Sequence, residues 1–198
     1  MDLEPERINL LDVSREQLVE WLAERGIAAY RAEQILTWVY RRQEDDFDAM
    51  SNIAKEVRAL LSQHFRVARL AILARQASSD GTRKYLFGLE DGERIETVLI
   101  PERGHYTLCV SSQVGCAQNC RFCLTAKSRL RRNLTQGEIL AQVRDVKKEL
   151  PDPGRLTNIV FMGMGEPLAN LDNLLAALAL ITDSDIGLGF AAKRVTVS

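Results

Sequence analysis

All four cysteines of this 198-residue chain fall within fifteen consecutive positions, from Cys109 to Cys123. Cys116, Cys120 and Cys123 keep the spacing C-x3-C-x2-C, and Cys109 sits seven residues upstream of the first. A disulfide framework fits this poorly, because a chain of this length needs no staples and shows no secretory context. Thiolates at such short spacing converge instead on a soft metal. Whatever the chain folds into must therefore deliver one short loop to a metal centre.

A structural zinc site wants four closed ligands, usually as two C-x2-C knuckles or a Cys/His mix. Here three cysteines share the tight spacing, and neither His64 nor His105 falls at a natural fourth position. An electron-transfer iron–sulfur protein would also use four cysteines. Three thiolates around a four-iron cubane leave one iron open, which suits a reaction better than a wire. A zinc module that only binds RNA stays open as an alternative, and it predicts a colourless protein with one zinc per chain.

C-x3-C-x2-C resembles the signature of the radical S-adenosylmethionine enzymes. Three strings sharpen the likeness: Cys109-Val-Ser-Ser-Gln-Val-Gly-Cys116, then Arg132-Asn133-Leu134, then Gly163-Met164-Gly165-Glu166-Pro167. Together they resemble the RlmN/Cfr family of RNA adenosine methyltransferases, from about Ile8 to the last residue and most strongly from Glu96 onward. The resemblance implies a 4Fe-4S cluster on Cys116, Cys120 and Cys123, with S-adenosylmethionine chelating the open iron.

Net charge is −1 and 46% of residues are hydrophobic, which reads as a soluble, cytoplasmic chain with no whole-protein electrostatic case for nucleic acid. The opening Met1–Arg7 is charged and is not a signal peptide, and the longest apolar run, Leu174–Ile181, is far short of the roughly 20 residues a membrane span needs. Residues 1–66 read as a small three-helix bundle. Ser14-Arg-Glu-Gln17 is a capping box ahead of Leu18, Trp21 and Leu22, and Gly26 stops that helix. A second helix is expected over Arg31–Arg42, and a third from about Ser51 with Ile53, Val57, Leu60 and Leu61; Trp21 and Trp38 are expected in the core. The family carries a helix-hairpin-helix-like domain here that helps hold RNA. Arg31, Arg41 and Arg42 are then candidate phosphate contacts, though a solvated helix face explains them equally well.

Residues 67–104 read as a β segment. Lys84–Leu89 and Arg94–Ile100 flank a hairpin-like Glu90-Asp91-Gly92-Glu93, and Ser79-Asp80-Gly81 marks an earlier turn. Glu96, on the second of these strands, reads as a solvent-facing residue. By resemblance it matches a glutamate that accepts a proton near the target base.

Residues 105–198 read as strand, helix, strand, helix, strand, the pattern of a parallel α/β arrangement, which the resemblance implies is the first part of a radical S-adenosylmethionine partial barrel. The expected strands are Thr107–Val114, Asn158–Met162 and one beginning at Arg194. Thr135-Gln-Gly-Glu138 caps the first helix, which Pro151 ends, and Asn170 is placed to cap Leu171–Ile181. The cysteine loop and the Gly163–Pro167 loop then both fall at carboxyl ends of strands, where sites are built. Glycines let backbone approach a ligand, and Glu166 adds an acceptor for an ammonium. By resemblance, Gly165, Glu166 and Ser198 contact S-adenosylmethionine. Cys109 reads as a small buried hydrophobe; by resemblance it resolves a covalent protein–RNA adduct through a disulfide with a downstream, methyl-carrying cysteine. No cysteine follows Cys123, and a complete eight-unit barrel takes roughly 250 residues, so the barrel is expected to be truncated. Arg129, Arg131 and Arg132 face either RNA phosphate or solvent.

For a whole family member, the resemblance implies methylation of carbon 2 of an adenosine in large-subunit rRNA and in some tRNAs. One S-adenosylmethionine yields a 5′-deoxyadenosyl radical, and that radical activates a methyl carried on the downstream cysteine. It implies an electron donor such as a flavodoxin-type protein as a further partner. A relative that methylates carbon 8, and a non-catalytic fragment, are the competing readings.

Overall fold

The computed structural model describes residues 7–198; the charged opening segment, Arg7 aside, lies outside the described residues. In chain order the elements are β1 (Ile8–Asn9), α1 (Arg15–Ala23), α2 (Tyr30–Leu36), α3 (Lys55–His64), β2 (Phe65–Arg66), β3 (Ala71–Ala77), β4 (Arg83–Gly88), β5 (Arg94–Glu102), β6 (His105–Cys109), β7 (Gln113–Val114), β8 (Arg132–Asn133), α4 (Gln136–Lys148), β9 (Leu156–Phe161), α5 (Leu171–Thr182) and β10 (Val195–Val197).

The helical module follows the sequence pattern with three departures. Ser14 and Gln17 close the reciprocal capping box, and Leu18 and Leu22 are fully buried. The second helix does not run unbroken to Arg42: after Leu36 it widens into a π turn over Thr37–Arg41, where the Arg42 N–H reaches the Thr37 carbonyl. This widening buries Val39 and Tyr40 together, and the Val39 carbonyl accepts a bond from Arg144 Nε at 3.1 Å. The third helix starts at Lys55 rather than near Ser51, because Met50–Ile53 closes a turn that buries Ile53. Trp21 and Trp38 are half-buried lids on the core rather than members of it. The Arg25 guanidinium lies 4.1 Å from the Trp21 ring and that of Arg42 lies 4.0 Å from Trp38.

Six strands form one mixed sheet in the order β10-β9-β6-β5-β4-β3. β6, β9 and β10 are parallel, with α4 and α5 as crossovers, while β3, β4 and β5 add an antiparallel meander at one edge. The turns Asp80-Gly81 and Asp91-Gly92 make that meander, each glycine at φ near +85°. The architecture is α/β with an incomplete barrel, the sheet remaining open. The expected strand Thr107–Val114 is two pieces: β6 ends at Cys109, and Gln113–Val114 turns away to pair with β8. β9 starts and ends earlier than its apolar run suggests, which leaves Met162 exposed beyond it.

One sheet face, including Tyr85, Phe87, Ile95, Leu99, Leu108 and Ile159, is buried. Register puts Lys84, Val98, Cys109, Val160 and Thr196 side by side on the opposite face. Among the described residues, no helix is long and apolar enough to cross a membrane.

Candidate active site

The cysteine loop is held at its neck. β7 and β8 pair Gln113 with Asn133 and Val114 with Arg132, and the Arg131 N–H donates to the Val114 carbonyl at 2.8 Å. Arg132 locks this ribbon through both Glu138 oxygens, at 2.7 and 2.8 Å, and Asp91 at 2.6 Å. It is a structural tie rather than a free phosphate contact. Gly115, at φ +77°, lies so close to the Arg129 carbonyl that no Cβ fits. Beyond the neck, the Cys123 N–H bonds the Cys120 carbonyl at 3.0 Å, closing a turn, while Phe122 is 93% exposed. Backbone N–H groups of Ala126 and Thr125 hold the Cys123 thiol below its ordinary pKa. All four cysteines are free thiols. Among the described residues, no three His, Cys, Asp or Glu side chains stand close enough together to chelate an ion. The three thiols share one loop, Cys116 at its neck and Cys120 and Cys123 in its turn, and side-chain and loop rotation is needed to bring them to one centre.

The Gly163–Pro167 loop packs on residues 110–113. Gly163 N–H donates to the Val110 carbonyl, and Ser112 N–H donates to Met164 O at 2.8 Å. A Cβ on Gly163 would meet Ser111 Oγ at 2.8 Å, and one on Gly165, at φ +97°, would meet Gln113. The glycines thus let this loop approach the protein's own backbone, a reason that ligand-based reasoning overlooks. Glu166 N–H donates to Gln113 Oε1 at 2.8 Å, so the residue three before Cys116 clamps the second loop to the first. One Glu166 oxygen caps Leu168 N–H at 3.2 Å, and the carboxylate has no ion-pair partner among the described residues. Asn170 does not cap α5. Its amide donates at 2.8 Å to both Ser112 O and Leu134 O, stitching the loops from beneath.

Glu96 and Cys109 share the open sheet face: Val98 pairs with Cys109, and Glu96 is two residues along the same strand. Lys84 Nζ lies 2.9 Å from Glu96 Oε1. The Cys109 thiol is half-buried, and that burial pushes its pKa up against one backbone hydrogen bond from Met162. Ser198 is exposed, one residue past β10.

Two residues escaped sequence reasoning. Gln142 of α4 is fully buried, and its Oε1 accepts from Thr97 Oγ1 at 2.8 Å and from Ser111 N–H at 2.9 Å. Its Nε2 donates to Ser111 O at 3.0 Å. Ser111 Oγ in turn donates to the Glu96 carbonyl at 2.6 Å and accepts from Met164 N–H at 2.9 Å. Gln142 and Ser111 therefore join Glu96, the segment after Cys109 and the glycine loop. A polar residue inside an otherwise apolar helical face is the signal that marks Gln142.

Residues 8–67 match the family profile "Ribosomal RNA large subunit methyltransferase N-terminal domain", and residues 110–198 match "Radical SAM superfamily". The chain is 54% identical over 187 residues to the dual-specificity RNA methyltransferase RlmN of Desulfosudis oleivorans, covering 94% of this chain and 50% of that protein. The chain belongs to the RlmN/Cfr family. RlmN of Geobacter sulfurreducens is 49% identical, with 96% of this chain and 52% of that protein covered. A radical SAM methyltransferase from Sphaerobacter thermophilus superposes with a TM-score of 0.85 at 42% identity, over 96% of this chain and 56% of that one. The chain spans about half the length of the curated RlmN relatives it matches. Membership implies a 4Fe-4S cluster and S-adenosylmethionine. The donor chemistry fits both: three free thiols on one loop for the iron, and a carboxylate without a cationic partner, on a loop clamped to the strand that enters the cysteine loop, for an ammonium.

Proposed function

We propose that this chain serves the methylation of adenosine at carbon 2, in large-subunit rRNA and in tRNA. The observation that carries the reading is the clamp between the two loops, Glu166 N–H to Gln113 Oε1 at 2.8 Å, on the sheet end that also presents Glu96 and Cys109. Cys116, Cys120 and Cys123 would hold the cluster, and Gly165, Glu166 and Ser198 would hold S-adenosylmethionine. Once bound, these groups supply one-electron chemistry and a methyl group, which an adenine carbon that is not nucleophilic requires.

The chain's own residues then position and shield. Glu166 takes the ammonium of the methionine part, while Gln113 and Asn170 hold its loop against the cysteine neck. Glu96, steadied by Lys84 and by the Ser111 bond to its carbonyl, takes the proton released from the target base. Cys109, kept as a thiol by burial, sits one row away to act on an adduct formed with a cysteine of a longer chain. A flavodoxin-type protein is the proposed electron donor, and the cytoplasm the proposed location. The helical unit 1–66 is read as the accessory that holds RNA, 67–104 as the β segment beside it and 105–198 as the catalytic unit. The bonds from Gln136 Nε2 to Leu11 O and from Gly137 N–H to Asp12 support a fixed mutual orientation of the first and last.

Anaerobic reconstitution with iron and sulfide tests this reading. Visible absorption that changes on adding S-adenosylmethionine is expected, followed by methyl transfer to an rRNA fragment or tRNA. A colourless, zinc-retaining protein overturns it in favour of a structural zinc module.

A further inference from the structure

Beside the cysteine neck lies a cleft of about 810 Å³, within the ~300–1,000 Å³ usual for ligand sites. One wall is the β4–β5 turn, the other the segment from Lys127 to Arg131, and Val114, Gly115 and Met164 line it between them. Its acidic groups are already neutralised: Asp91 pairs with Arg132 at 2.6 Å and Glu93 with Arg131 at 3.1 Å. Arg94, Lys127 and Arg129 line the same cleft, are exposed, and have no ion pair among the described residues. A chain of net charge −1 thus concentrates three uncompensated cations around one opening.

The lining between the walls points to the kind of ligand. Met164 is an adaptable apolar side chain, and its sulfur accepts the Glu96 N–H at 3.3 Å, so the cleft abuts the residue proposed to take the proton. Cations on both walls, with Val114 and Met164 between them, suit a strand whose phosphates lie against the walls while a splayed base reaches the methionine.

We propose that this cleft seats the single-stranded stretch of RNA carrying the target adenosine, with Arg94, Lys127 and Arg129 on its phosphates and the base directed toward Met164. The inference rests on the RNA reading above and adds the place where the strand lies.

The test uses the 198-residue chain and a fluorescein-labelled RNA hairpin with an adenosine in its loop, with anisotropy read across a salt series. The triple variant Arg94→Gln, Lys127→Gln, Arg129→Gln is compared with a control triple, Arg83→Gln, Arg103→Gln, Lys193→Gln, drawn from exposed cations outside both the cleft and the helical unit. The cleft triple is expected to weaken binding about tenfold or more, and to flatten the slope of log K against log salt by about 2, at ~0.7 per phosphate contact on a single strand. The single variants Arg94→Gln and Lys127→Gln, each flattening it by ~0.7, keep the test valid if the triple loses its melting transition. Equal losses in the cleft and control triples overturn the cleft. Failure of the unsubstituted chain to bind the hairpin overturns the RNA reading itself, and the cleft with it.

Discussion

Cys109 and Cys123 belong to one fifteen-residue segment yet sit in opposite settings. Burial raises the pKa of the first, while backbone N–H groups from Ala126 and Thr125 lower that of the second. The thiolate is the nucleophile, so a lowered pKa means more reactive anion at neutral pH and a raised one means less. Iodoacetamide alkylation followed by peptide mass spectrometry should modify Cys123 well before Cys109 at pH 7, with the gap narrowing as pH rises past 9. Equal rates at pH 7 would refute the assignment. Gln142 carries a second prediction. Gln142→Leu keeps the volume but strands the Thr97 hydroxyl and both backbone groups of Ser111, each buried group costing about 1–3 kcal/mol. A loss of about 3 kcal/mol or more in urea unfolding is expected. A change within 0.5 kcal/mol, roughly the scatter of a neutral surface substitution, would show that the clasp holds nothing.

At the scale of elements, the neck of the cysteine loop depends on Gly115. Gly115→Ala would need a positive φ and would push its Cβ into the Arg129 carbonyl, so the strand pair β7/β8 must part. Limited trypsin digestion should then cut at Arg121, Lys127 or Arg129 several-fold faster, while the main melting transition moves little. Unchanged cleavage would mean that the loop is not held there. Nothing in the local sequence announces this ribbon. Two-residue strands carry no period, and the run Thr107–Val114 looks like one strand because its break at Val110 is made by tertiary bonds to Gly163 and Gln142. Capping boxes at Ser14 and Thr135 were legible because their bonds are local, and the hairpin at Asp91-Gly92 for the same reason. Asn170 looked like a cap and is not one, since two carbonyls distant in sequence orient its amide and its Oδ1 accepts from the Asn173 side chain rather than from a backbone N–H. The site itself was legible as motifs, whereas its assembly through Gln113, Ser111 and Gln142 was written only in the fold.

Across the whole molecule, α4 is the joint. It is buried on the sheet side and also against the helical module, which is why Arg144 and Asp145, polar residues that a surface helix would expose, are 2% and 4% exposed. Arg144 donates to Asp45 at 2.6 Å and to the Val39 carbonyl, and Lys148 reaches the same carboxylate at 3.1 Å. Burial works to raise the Asp45 pKa, but the Arg144 and Lys148 contacts outweigh it, and the net direction is down. Asp145 goes the other way, raised by burial against its bonds to Leu70 and Arg69. A depressed carboxyl contributes stability that is present above the unfolded value, near ~3.9, and is lost as pH falls through the folded value. A raised one acts oppositely, favouring the folded chain as acid protonates it from its folded value down to ~3.9. Urea midpoints should therefore hold or rise slightly as pH drops toward about 4, then fall below it. Asp45→Asn leaves Arg144 buried without its partner, a change costing about 3–5 kcal/mol at neutral pH. It should also remove part of the acid fall, so that the variant and parent curves converge below pH 4. Curves that stay parallel through that range would mean that Asp45 does not govern the joint, and that the helical module is held to the barrel by its apolar contacts and by bonds such as those of Gln136 and Gly137.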